Sequence, residues 1–100
     1  MADVDVILSF VGSDIVPNGK RERVKVHRGQ TLAWKSNEGD VTISLPDAPL
    51  AGAREFSSRK GEFTAEAHVQ RNAKPGPFDC KATIGGKAGA TVYGIEIIVP

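Results

Sequence analysis

Cys80 is the only thiol of the chain and closes the run Pro75-Gly76-Pro77-Phe78-Asp79-Cys80. One Cys excludes an internal disulfide, so the sulfur is left to act as a nucleophile, a metal-bound thiolate or a small apolar side chain. Nucleophilic work requires a base within reach and a thiol pKa lowered by a helix N-terminus or a cation. The two imidazoles, His27 and His68, take the outward parity of their strands, and Lys81 points to the opposite strand face from its neighbour Cys80. No enzymatic site is therefore expected. Cys80 reads as a small buried hydrophobe, the common environment of a free Cys.

The remaining charged residues divide into acids and a basic stripe. Asp3 with Asp5, and Glu38 with Asp40, lie on ordinary solvated positions, and Asp79 is expected to meet a cross-strand Lys or Arg rather than to act as an acid. Gly85-Gly86-Lys87 lacks both the length and the following helix of a phosphate-binding loop. Arg21, Arg23 and Lys25, with His27, line one face at strand spacing, a pattern that suits phosphates or an acidic protein. Glu22 takes the other parity, no aromatic residue is interleaved for base stacking, and edge strands commonly carry Lys and Arg against aggregation. Nucleic acid is therefore not expected. Arg21, Arg23, Lys25 and Asp40 remain the candidate contacts for a protein partner, and Arg54, Arg59 and Lys60 read as an ordinary charged loop.

The elements that must position these groups belong to one domain of 100 residues, which buries roughly 60 to 70% of its unfolded surface. Apolar residues at 40%, charged residues at 25% and a net charge of +1 disfavour disorder, a disulfide scaffold and any global electrostatic case for nucleic acid or membrane. No apolar run reaches 18 residues, and Met1-Ala2-Asp3-Val4-Asp5 lacks the features of a signal peptide. The chain reads as soluble, with its compartment left open.

Period-two patterns dominate, and no window has a useful helical period. Val4, Val6, Leu8 and Phe10 alternate with polar residues, and Asn18-Gly19 is a strong turn signal. A strand is expected from Lys20 to His27, a turn at Arg28-Gly29-Gln30, a strand over Thr31 to Lys35 with Trp34 as a core anchor, and a polar loop from Ser36 to Asp40. Val41, Ile43 and Leu45 define the next strand, and Asp47 to Gly61 reads as loop with a turn of helix. Phe63, Ala65, Ala67 and Val69 share one parity, as do Phe78, Cys80, Ala82 and Ile84, and Thr91 to Val99 is the final strand.

Four features in this order resemble the cupredoxin family: Val26-His27-Arg28-Gly29-Gln30-Thr31-Leu32-Ala33-Trp34, then Asn37, then Pro75-Gly76 before Phe78-Asp79-Cys80, then Gly94-Ile95-Glu96-Ile97-Ile98-Val99. The resemblance covers most of the chain. It implies an all-β Greek-key sandwich of about seven or eight strands, in which Cys80 takes the place of the family's copper-ligand Cys. A type 1 copper centre also requires two imidazoles and usually a thioether. The loop that carries the family's first His reads Glu38-Gly39-Asp40-Val41, and the stretch after Cys80, home of the second His and the Met, reads Lys81 to Ala90 with neither.

The chain is therefore expected to be a cupredoxin-like, copper-free, non-catalytic binding module without a cofactor, whose partner is another protein or domain. Its contact surface is expected where Glu38 to Val41 and the loop after Cys80 converge, since binding residues of sandwiches sit on end loops. The alternative is an atypical copper or electron-transfer protein that uses Cys80 with an unexpected His or Asp40. The oligomeric state is left open.

Overall fold

Alternation of apolar and polar residues gives strands one buried face each, and these faces meet in a single core. The computed structural model describes residues 2–98 and contains twelve strands, with no helix among the described residues. They are β1 (Val4–Val11), β2 (Asp14–Pro17), β3 (Val24–His27), β4 (Thr31–Lys35), β5 (Val41–Ser44), β6 (Leu50–Ala51), β7 (Glu55–Ser58), β8 (Ala67–Val69), β9 (Gly76–Phe78), β10 (Lys81–Ile84), β11 (Lys87–Ala88) and β12 (Ile95–Ile98). The fold is all-β, as the alternation implies.

Three sheets form, with strand orders β2-β1-β4-β8-β6, β11-β10-β5-β7 and β3-β12-β9. Two pairings are parallel, β1 with β4 and β3 with β12, and the rest are antiparallel. Parallel neighbours need a long connection between them, so these two pairings tie distant parts of the chain. Val6, Leu8, Leu32, Trp34, Ile43, Ile84, Ile95 and Ile97 contribute from all three sheets to one buried cluster. Trp34 of β4 meets Phe56 of β7 with ring centroids 5.5 Å apart, so the first two sheets face each other across it.

Several local expectations change. The strand expected from Lys20 begins only at Val24, because Asn18 and Gly19 take positive φ (52° and 74°) and the bonds Lys20 N–H to Pro17 O and Glu22 N–H to Lys20 O keep the chain turning. The segment Asp47 to Gly61 holds β6 and β7 instead of a helical turn: Leu45 N–H donates to Arg54 O at 2.9 Å, extending the β5–β7 ladder, and the Arg54 guanidinium donates to Pro46 O and Ala48 O. β2 was not expected, although Gly12-Ser13 is a two-residue turn before Ile15-Val16, which are both buried.

The parity of Phe63 and Ala65 also slips. Thr64 takes the inward position, where its hydroxyl oxygen accepts from Trp34 N–H at 3.1 Å and its own N–H donates to Trp34 O at 2.8 Å. Phe63 is left 42% exposed. The final strand begins at Ile95 instead of Thr91, with Ile95 and Ile97 buried, while Val99 lies outside the described residues.

Candidate functional site

Cys80 sits where the chain crosses from one sheet to another, between β9 and β10. The crossing is tight. A Cβ on Gly94 would collide with Phe78 O and approach Cys80 N to 3.1 Å, so only glycine lets the entry to β12 lie against it. The thiol donates weakly to Tyr93 O at 3.7 Å and the residue is 9% exposed. Burial pushes the thiol pKa up to about 12, Asp79's negative charge adds to the rise, and Arg23 partly offsets it. A thiol so shifted is protonated at neutral pH and a poor nucleophile.

The basic stripe is laced with acids. The Arg21 guanidinium pairs with Asp14 at 3.2 Å and donates to Val11 O at 3.2 Å, and Arg23 pairs with Asp79 at 2.8 Å. Lys25 is exposed on β3, opposite Glu96 of β12. Arg21 and Arg23 precede the strand, so these three residues do not form one continuous face along it. Asp79 meets an arginine, as its position suggested.

Glu38 to Val41 and the loop after β10 do converge. Gly85 N–H donates to Asp40 O at 2.8 Å, and a Cβ on Gly39 would come 2.9 Å from Gly85 N. Asp40 Oδ1 accepts from Lys60 N–H at 2.9 Å, and Glu38 Oε2 accepts from Phe10 N–H at 3.1 Å, so both carboxylates fasten loops together. Lys35 over Phe63 (4.8 Å) and Lys87 over Phe10 (5.4 Å) add two cation–π pairs at this end. Cys80 is elsewhere: the whole of β10 separates it from Gly85, roughly 16 Å at the usual strand rise.

The donor set does not fit a type 1 copper. His27 and His68 are exposed, and the described residues contain no group of three or more His, Cys, Asp or Glu placed to hold a metal. The only thiolate source is held protonated by burial. Asp40 belongs to the loop end and is bonded to Lys60 there.

A cleft of about 700 Å³ opens beside Cys80, over the four-stranded sheet. Ladder register sets its floor as two rows of outward side chains: Lys81, Ser44 and Glu55 in one, Thr83, Thr42 and Ser57 in the next. Thr83 Oγ1 donates to Thr42 Oγ1 at 3.1 Å. Ala88, Gly89, Ala90 and Val92 form the wall, because the chain leaves β10 after a two-residue β11 and runs along β2 instead. Ala90 N–H donates to Ser13 O (2.7 Å), Ile15 N–H to Thr91 O (2.9 Å) and Tyr93 N–H to Ile15 O (3.3 Å). Gly89 is required there, since a Cβ would come 2.8 Å from the Ile15 side chain.

Sequence reasoning missed this cleft. Its floor is encoded by the polar parity of Val41 to Ser44 and Lys81 to Ile84, but its wall depends on β2, which carried only a weak signal. No protein-family model matches the chain, and no curated protein matches its sequence.

Proposed function

We propose that this chain is a non-catalytic binding module of cupredoxin-like architecture, without type 1 copper, that takes a segment of another protein in the cleft over β5, β7 and β10. The observation that carries the reading is the cleft itself. Its volume falls within the range of natural ligand sites. Its floor offers hydroxyls as donors and acceptors, one cation and one anion, all on rigid strands. The protonated, buried Cys80 thiol beside it supports binding over covalent chemistry.

The cleft replaces the loop end as the leading contact surface, because Glu38 and Asp40 are committed to backbone bonds between loops. The test is a cleft-filling variant, Thr42→Trp, compared with Asp40→Asn at the loop end, in titrations with neutral tetrapeptides rich in Ser and Ala. Loss of binding in the first with retention in the second supports the cleft; the reverse pattern moves the site to the loops.

A further inference from the structure

We infer that the free edge of β7 pairs with the same edge of a second copy, antiparallel and centred on Ser57. Edge strands present unpaired N–H and C=O groups, and proteins protect them with prolines, lysines, bulges or shortness. The other edges here carry such devices: β2 ends in Pro17, β3 holds Lys25, β9 holds Pro77, and β6 and β11 are two residues long. β7 is four residues, Glu-Phe-Ser-Ser, with no proline or lysine. Among the described residues it has a strand, β5, on one side only.

The ladder fixes which groups face outward from the edge. Leu45 N–H donates to Arg54 O, and the β5–β7 register continues as Ile43 with Phe56 and Val41 with Ser58. Hydrogen-bonded pairs alternate in an antiparallel ladder, so Phe56 and Ser58 spend their backbone groups on β5. Glu55 and Ser57 turn theirs to the free side, and Arg59, the next odd-numbered residue, lies just past β7 with its side chain exposed and its carbonyl accepting from Glu62 N–H at 2.9 Å.

A second copy must therefore pair odd-numbered residues with odd-numbered residues. Centring on Ser57 sets Ser57 opposite Ser57 and Glu55 opposite Arg59, twice, through the two-fold axis. Opposite residues bring Cβ atoms to about 5 Å, and Glu55, Ser57 and Arg59 are all exposed. Moving the axis to Phe56 sets Glu55 opposite Ser57 and loses both charge pairs. A one-residue slip aims the spent groups of Phe56 and Ser58 at the partner and exchanges the faces. The charge pattern of residues 55–59 is thus complementary to itself in one register that the ladder allows.

Pairing in this way joins two four-stranded sheets into one of eight and, because Glu55 and Ser57 also line the cleft, makes the two clefts continuous. The contact is small, so association is concentration-dependent.

Sedimentation equilibrium from about 10 µM to about 1 mM, a range suited to a small interface, is expected to show the mass rising from 10.6 kDa towards twice that value. Glu55→Arg and Arg59→Glu each set like charges in opposition and are expected to weaken the dimer at least about tenfold, and the double variant to restore it. Ser57→Pro removes an edge-facing donor while sparing the β5 ladder, and is expected to be a folded monomer by circular dichroism. A wild type that stays monomeric throughout, or charge reversals that dimerise as well as wild type, overturns the inference.

Discussion

Arg23 reaches Asp79 at 2.8 Å, a guanidinium–carboxylate pair that joins the residue before β3 to the residue before Cys80. The pair links two sequence-distant features through the point where the chain changes sheets. Both partners are substantially exposed, so its worth lies in local geometry and field more than in stability. Arg23→Ala is expected to change unfolding free energy by less than about 1 kcal/mol in urea titrations.

Burial is what chiefly raises the Cys80 pKa, and the same pair tunes it in opposite senses. Its folded pKa of about 12 exceeds the ordinary 9.0, so the folded state holds the proton more tightly than the unfolded state. The resulting stabilisation is fully present below pH 9 and is lost as pH rises towards 12, with an upper size of about 4 kcal/mol. Urea unfolding at pH 8 and pH 11 is expected to show this loss in wild type and a smaller one in Cys80→Ala. Asp79→Asn should speed alkaline thiol labelling and Arg23→Ala should slow it, since the carboxylate raises the pKa and the cation lowers it.

Gly94 lets β12 enter against the Phe78–Cys80 crossing. Gly94→Ala places a methyl group into the backbone of residues 78–80 and is expected to cost about 3 kcal/mol or more by chemical denaturation. Gly19→Ala, where no atom lies within 4 Å, meets no such collision and carries only the strain of its positive φ.

Thr64 accepts the Trp34 N–H inside the core. Thr64→Val keeps the shape and removes that acceptor, and is expected to destabilise by about 1 to 3 kcal/mol. Thr64→Ser retains the oxygen and should recover most of that loss.

The all-β character was legible because β1, β5 and β12 alternate, and Trp34 was legible as core from its strand. The β7 strand was hidden: Phe56 is its only apolar residue, and Leu45, Arg54 and the facing Trp34 hold it in place from elsewhere. Phe63 misled because Thr64 won the inward position through its hydroxyl, a tertiary hydrogen bond that no local pattern announces. The convergence of Asp40 with the loop after β10 was anticipated from the resemblance; the remoteness of Cys80 from that meeting point was not, because it depends on where β10 begins. Asp79's arginine partner was legible in kind, though its identity, Arg23, required the fold.

Amide chemical-shift mapping of the nitrogen-15-labelled protein with a set of neutral Ser- and Ala-rich tetrapeptides tests the binding site most directly. A cleft-binding module is expected to show saturable shifts clustered at Thr42, Ser44, Ser57, Thr83 and Ala88, with Glu38 to Asp40 unmoved. Shifts confined to Glu38, Asp40, Phe63 and Gly85, or no saturable shift at any residue, would contradict the cleft as the binding surface.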